Sequence, residues 1–223
     1  MNSEHKDLWE QEHTRQNIFT VMHTMRPARP LPAFVDFLKH TNHEPASTTI
    51  LDLGCGKGRN SVYLASLGFN VLAADFSEKA IADARIRSQM YAGQIQYEVF
   101  DLTNDWPYNN NQVDAVIDCN TTIYIPDALR PRVIDEAYRV LKPEGFYLFY
   151  GHTADSLKQL LAKPELQLTA YHDKGYAEKR YTRDELLGAY QKFKSVSIEV
   201  AHTTDTIERK EVQNEMWVAI FQK

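Results

Sequence analysis

The chain has 223 residues, 43% of them hydrophobic and 25% charged, with 30 acidic against 25 basic side chains and a formal net charge of −5. This length buries a sizeable core without staples, and the ordinary composition excludes wholesale disorder. The acidic balance counts against a nucleic-acid partner, which usually demands a basic excess, while leaving a local basic patch open. Two cysteines, Cys55 and Cys119, cannot build a disulfide framework. No apolar run of about 18 residues marks a membrane span, and residues 1–7 lack a signal peptide's apolar core. A soluble, cytoplasmic protein is expected.

Residues 1–30 are polar, with Ile18, Phe19, Met22 and Met25 at helical spacing. Pro27 and Pro30 then end the helix. This arm is expected to pack on the body, either as a lid over a site or as an ordinary flanking helix. From Leu31 the pattern becomes regular. Phe34, Phe37 and Leu38 suggest a short helix, and residues 48–53 a buried strand ending at glycine. A helix over 61–67 stops at Gly68, a strand covers 70–75, and Ser77 caps a helix carrying Ile81, Ala84 and Ile86. Strands follow at 94–100 and 113–118, a helix at 127–141, a turn at Pro143-Glu144-Gly145, and a strand at 146–150. Strand–helix alternation with short loops predicts an α/β fold with a parallel sheet covered on both faces. After His152 the pattern loosens. Helices are expected at 155–162 and, capped by Thr182, at 182–192, and strands at 195–202 and 215–221 could form an antiparallel hairpin. Nothing reads as a linker, so one domain over 1–223 is expected.

The chemistry concentrates in Leu51-Asp52-Leu53-Gly54-Cys55-Gly56-Lys57-Gly58-Arg59-Asn60, between a strand and a helix. Glycine at every second position lets the backbone turn tightly and approach a ligand. The helix start behind offers free N–H groups to an anionic group. The dinucleotide fingerprint has its third glycine one position later, where this chain has Arg59. The loop is therefore G-x-G-x-G, which disfavours a nicotinamide-dependent dehydrogenase. Asp75, ending the second strand, could accept both hydroxyls of a ribose. Asp101, with Leu102 behind it, could meet an adenine's amino group and ring face. Lys57 and Arg59 are read as charges that either neutralise an anion or stay solvated.

These motifs, with Arg139-Val140-Leu141-Lys142-Pro143-Glu144-Gly145 following in order, resemble the class I S-adenosylmethionine-dependent methyltransferases over roughly residues 45–152. Within that family, residues 52–61 and Tyr63-Leu64-Ala65 look most like small-molecule enzymes of the tellurite-resistance and thiol methyltransferase type. The resemblance implies a Rossmann-like seven-stranded sheet, mostly parallel, with helices on both faces and an antiparallel last strand. It implies S-adenosylmethionine as cofactor and S-adenosylhomocysteine as product. Gly54, Gly56 and Gly58 would approach the methionine part, Asp75 the ribose, and Asp101 with Leu102 the adenine. The full cofactor set so implied is Asp52, Gly54, Cys55, Gly56, Gly58, Asn60, Asp75, Phe76, Asp101, Leu102, Asp118 and Cys119. Residues Asp118-Cys119-Asn120 would run beside the methionine part and open toward the acceptor.

Departures narrow the acceptor. The segment after the fourth strand is Asp118-Cys119-Asn120-Thr121-Thr122, not the proline-rich motif of enzymes that methylate amino groups of DNA bases or glutamine. Cys119 lacks the neighbouring proline of cysteine-nucleophile enzymes and is read as a wall thiol. His40 and His43 lack a third ligand nearby, so no metal is expected. His152, just past the fifth strand, is the general-base candidate, although an activated methyl group needs mainly positioning. The expectation is methyl transfer to a small molecule, with a macromolecular acceptor (RNA or protein) or a non-catalytic cofactor-binding module as alternatives.

Overall fold

The computed structural model describes residues 3–14, 25–156, 178–207 and 210–223. The helix expected on Ile18, Phe19 and Met22, and nearly all of that expected at 155–162, lie outside them. Seven strands run β1 (Thr49–Leu53), β2 (Asn70–Asp75), β3 (Ile95–Val99), β4 (Val113–Cys119), β5 (Leu141–His152), β6 (Lys194–Ile207) and β7 (Lys210–Gln222). They form one sheet in the order β3-β2-β1-β4-β5-β7-β6. The pairings from β3 through β5 are parallel, and β7 is antiparallel to both β5 and β6. The family's expected sheet is thus observed. The chain starts at β1, builds outward to β3, and returns to β4 on the other side of β1. That reversal opens a crevice at the carboxyl ends of β1 and β4, where open α/β sheets bind ligands.

Alternating side chains send two apolar surfaces in opposite directions. Ile50, Val71, Ala73, Ile117 and Leu148 pack with Leu31, Phe34 and Leu38 of α2 (Leu31–His40), with Leu64 of α3 (Arg59–Ser66), numbered here after α1 (Ser3–Thr14), and with Ile81 and Ala84 of α4 (Glu78–Arg87). Leu51, Leu53, Val116, Tyr147 and Phe149 pack on the other face with Val133, Ile134 and Ala137 of α5 (Arg130–Val140) and Leu186 of α6 (Arg183–Ala189). Each fully buried Leu or Ile contributes about 1.5–3 kcal/mol. The caps expected at Ser77 and Thr182 form. Ser77 Oγ accepts from Ala80 N at 3.0 Å, and Thr182 with Glu185 closes a capping box.

Two elements differ from expectation. The helix expected to 141 ends at Val140, and Leu141 already pairs with Val113. The expected turn at Pro143-Glu144-Gly145 becomes a bulge inside β5: Glu144 has φ 63°, and the register steps between Val113 and Ala115. The closing hairpin is longer than the alternation suggested, because polar Thr203, Thr204 and Asn214 still pair across it. Since β5 pairs with β7 from Phe146↔Gln222 only as far as His152↔Met216, the ribbon overhangs the carboxyl edge of the sheet. Arg29 Nη2 donates to Thr204 O at 3.1 Å and ties the segment before α2 to this overhang.

Candidate functional site

Three glycines in the left-handed region carry the turn from β1 into α3. At Gly54 (φ 59°) an added Cβ would lie 2.4 Å from Thr121 Cγ2, so glycine is dictated by the close approach of the turn after β4. Gly58 (φ 80°) caps α3, and a Cβ there would meet Tyr97 Oη at 2.7 Å. At Gly56 the nearest atom to an added Cβ is His13 Cε1, at 3.8 Å, so this glycine faces α1. Cys55 between them is buried, and burial pushes its thiol well up.

The acidic residues hold this loop. Asp75 is 6% exposed; Oδ2 accepts from Gly56 N and Oδ1 from Ser77 N, both at 2.9 Å. Burial raises its carboxyl while His13 opposes the rise. Phe76, next to it, is half-buried. Asp52 is buried beneath the loop, accepts from Ser61 Oγ at 2.6 Å, and is pushed by burial up to about 7. Asp101 accepts at Oδ1 from Thr103 N and Oγ1 (2.9 and 2.8 Å), and Lys6 Nζ lies 3.0 Å from Oδ2. Burial works against its ionised form, but these donors prevail and hold its carboxyl down at about 2. Leu102 is buried, its carbonyl accepting from Trp106 Nε1 at 2.8 Å. Asn60 Oδ1 accepts from Ala28 N at 2.8 Å, so this amide anchors the segment before α2. Lys57 is neither solvated nor poised for an anion: it is 8% exposed and pairs with Asp83 at 3.3 Å.

Beyond β4 the chain reverses tightly. Asp118 Oδ1 accepts from Thr121 N and Thr122 N at 3.1 Å each; Oδ2 accepts from Thr122 Oγ1 and from Tyr147 Oη, the latter at 2.9 Å. Its carboxylate, which burial raises, is therefore committed to the interior. It shapes the turn rather than reaching outward. Thr121 Oγ1 donates to Leu53 O at 2.7 Å, locking this turn against the start of the glycine loop. Burial also pushes the Cys119 thiol up, as suits a wall thiol. Asn120 takes φ 62°, and its N–H donates to Tyr150 O at 2.8 Å. Its Oδ1 is buried with no hydrogen-bond partner among the described residues.

His152 ends β5. Its Nε2 faces Glu178 Oε1 at 3.8 Å, and its Nδ1 is buried without a partner among the described residues. Burial, aided by Arg180, lowers its pKa to about 3 and keeps the ring neutral. A base of that strength gains little by taking a proton near neutrality.

The helical arm expected over residues 1–30 includes α1 (Ser3–Thr14), but the sequence assigned its residues no part in the site. Its Lys6, Glu10 and His13 recur at helical spacing, a polar stripe that ordinarily reads as a solvated face. Here Glu10 Oε2 accepts from Ser77 Oγ at 2.9 Å, Lys6 meets Asp101, and Trp9 sets its ring edge-on to Tyr124 at 5.0 Å between centroids. His13 is 3% exposed, and burial lowers its pKa despite nearby Asp75. The hint in the sequence was Trp9, an aromatic that a solvated helix rarely carries.

Residues 50–145 match the model of a methyltransferase domain. The chain is 29% identical over 197 residues to the tRNA N(3)-methylcytidine methyltransferase of Schizosaccharomyces pombe, covering 82% of this chain and 62% of that one. The chain spans 38–62% of the length of this relative and of two others it matches. Its fold superposes on 1,6-didemethyltoxoflavin-N1-methyltransferase of Burkholderia thailandensis, solved with S-adenosylhomocysteine, with a TM-score of 0.72 at 16% identity, covering 100% of this chain and 91% of that one. TehB of Haemophilus influenzae superposes with 0.65 at 18% identity, over 86% and 62% of the two chains. Among the described residues no helix is long and apolar enough to cross a membrane. With its reversing sheet and left-handed glycine loop, the chain carries over residues 50–145 a segment similar to methyltransferase domains, on the fold of the solved methyltransferases it superposes with.

Proposed function

We propose that this chain transfers the methyl group of S-adenosylmethionine to a small-molecule acceptor. The observation that carries the reading is the cradle itself. A left-handed glycine loop is held to the end of β2 by one buried carboxylate, Asp75, whose two oxygens each keep lone-pair capacity beyond the single N–H they accept. These residues fit the cofactor: a left-handed glycine turn packed so closely that Gly54 and Gly58 have no room for a Cβ, a carboxylate for ribose hydroxyls, and a second one backed by an apolar side chain for adenine. Gly54, Gly56 and Gly58 would line the methionine part, Asp75 and Phe76 the ribose, Asp101 and Leu102 the adenine. Asp52, Cys55, Asn60, Asp118 and Cys119 would support or wall the cradle.

When bound, the cofactor supplies an already activated sulfonium methyl group. The protein's task is then to hold the acceptor in line behind it and to keep competing water away. Neutral His152 is a weak base, so the acceptor's proton is lost only after transfer, when the methylated acceptor is a strong acid, and passes to solvent once the site opens. We read residues 1–30 as a lid whose Lys6, Glu10 and His13 lean on Asp101, Ser77 and the glycine loop, residues 45–152 as the cofactor core, and residues 153–223 as the acceptor-side cover of one domain.

Methylation of a base in tRNA is the second reading, favoured by the similarity to the Schizosaccharomyces pombe enzyme. The net charge of −5 supports the small-molecule reading instead. Calorimetry tests the cofactor assignment. S-adenosylhomocysteine should bind the wild type, and Asp75→Ala should weaken binding about tenfold to a hundredfold. Unchanged affinity would sink the assignment. Tight tRNA binding with a steep salt dependence would favour the second reading.

A further inference from the structure

Buried polar atoms are ordinarily satisfied within a fold, and each that is not costs about 1–3 kcal/mol. On the cofactor side, the carboxylates of Asp52, Asp75 and Asp101 all have partners. Beside the neighbouring strand ends, Asn120 Oδ1 and His152 Nδ1 are buried without a partner among the described residues; Tyr181 Oη beneath that side and His13 Nδ1 and Tyr97 Oη by the glycine loop share that condition. Asn120 and His152 stand at adjacent strand ends, since Cys119 pairs in register with Tyr150 and Asn120 N bonds to Tyr150 O. Thr121, bonded to Leu53 O, places the same turn beside Gly54, where the resemblance would set the methionine part of the cofactor.

Both groups are held rather than loose. Asn120 sits in a left-handed turn clamped by the Asp118 carboxylate. His152 is faced by Glu178, and Glu178 is fixed by Arg180 Nε at 2.9 Å, whose Nη1 donates in turn to Ser156 Oγ at 2.5 Å. The segment carrying Glu178 is sewn to both strand ends: Lys179 N donates to Ile123 O at 2.7 Å and Tyr181 N to His152 O at 3.2 Å. The Glu178 carboxylate, an acceptor 3.8 Å from Nε2 and so beyond direct hydrogen-bond range, favours electrostatically the tautomer with the ring proton on Nε2. Nδ1 then carries a lone pair. Two hydrogen-bond acceptors therefore stand at the adjacent ends of β4 and β5.

Resting on the cofactor reading above, we propose that Asn120 Oδ1 and His152 Nδ1 form the recognition pole for the methyl acceptor, which presents N–H or O–H hydrogen to them. Glu178 is the positioning residue that sets the His152 tautomer. Donating its hydrogen sideways leaves the acceptor's own lone pair free to face the methyl group. A neutral amine or hydroxyl compound fits this pole. A thiolate or an oxyanion does not, since it would set negative charge against two lone pairs. The pole thus separates this chain from the thiol and tellurite chemistry that its glycine motif suggested.

The test uses the full chain saturated with S-adenosylhomocysteine and two pairs of probes that differ in their X–H groups: phenol with anisole, and aniline with N,N-dimethylaniline. Affinities are read by NMR titration. The wild type should bind phenol and aniline about fivefold or more tightly than their methylated partners. Asn120→Gly, which keeps the left-handed turn, and His152→Phe should each erase most of that preference. Glu178→Gln should shift the His152 ring ¹⁵N resonances toward a mixed tautomer, a change that a merely structural Glu178 would not produce. Equal binding within each pair, no binding of either X–H probe, or a preference intact in both variants would overturn the proposal. If Asn120→Gly does not fold, His152→Phe decides alone. Failure of the wild type to bind S-adenosylhomocysteine, seen calorimetrically before any probe is added, refutes the cofactor reading and is told apart from failure of the pole.

Discussion

The two halves of the crevice are built on opposite principles. On the side of β1, β2 and β3 the backbone shapes the surface. Left-handed glycines offer the surface, and carboxylates that already have partners hold it in shape. On the side of β4 and β5, side chains shape the turn: the Asp118 carboxylate clamps it, and Asn120 Oδ1 and His152 Nδ1 stay without a partner among the described residues. A site for one invariable ligand can be satisfied in advance by main-chain geometry. A site that chooses an acceptor has to keep unmatched hydrogen-bonding capacity, because discrimination comes from leaving the wrong ligand's partners unpaired.

The contrast is broken most forcefully at Gly54, where both halves touch. Gly54→Ala forces a Cβ to within 2.4 Å of Thr121 in a left-handed turn. A stability loss of about 3 kcal/mol or more is expected in urea unfolding, with loss of S-adenosylhomocysteine binding. Thr121→Ala in the same chain should recover part of it, since the clash is with that side chain. Full stability in Gly54→Ala alone would contradict the close approach.

Asp52 gives the next effect and a pH signature. Its folded carboxyl titrates at about 7 against an ordinary 3.8, so the folded state holds this proton more tightly than the unfolded one. Stability attributable to Asp52 is therefore full below about pH 4 and is lost as pH rises toward 7, by on the order of 2–4 kcal/mol. Asp52→Asn should flatten that slope. A slope equal to the wild type's would place the titration elsewhere.

A smaller effect belongs to the acceptor side. Tyr147→Phe removes one of four donors from the Asp118 carboxylate. Stability should fall by about 1–2 kcal/mol, while cofactor affinity changes less than in Asp75→Ala. Equal losses of affinity would merge the two halves into one cooperative unit. The smallest effect is expected at Lys79, whose pair with Asp83 is an exposed i,i+4 contact on α4. Lys79→Ala should cost about 0.3–0.5 kcal/mol and leave S-adenosylhomocysteine affinity unchanged.

Much of the cofactor half was legible from sequence because it depends on local rules. Gly54, Gly56 and Gly58 follow a strand and open a helix, Ser77 caps the next helix, and Asp75 falls at a strand end. Each is fixed by neighbours a few residues away. The acceptor half was less so. Asp118 read as a residue that faces the ligand, but its four donors come from a turn and from Tyr147, and only the fold brings Tyr147 under it. Lys57 read as exposed until α4 delivered Asp83. The stripe of Lys6, Glu10 and His13 carried no signal of its own because its partners, Asp101, Ser77 and the glycine loop, are far away along the chain.

The sequence by itself determined the sheet of alternating units and the loop from Gly54 to Gly58, since periodicity and glycine spacing are short-range properties. Only the tertiary structure decided where α1 lies, how far the closing hairpin overhangs the sheet edge, and which polar atoms are left unmatched beside it. Those outcomes are sums over contacts between distant segments. Whether a buried oxygen such as Asn120 Oδ1 meets a partner depends on every element packed around it, and no window of sequence contains that information.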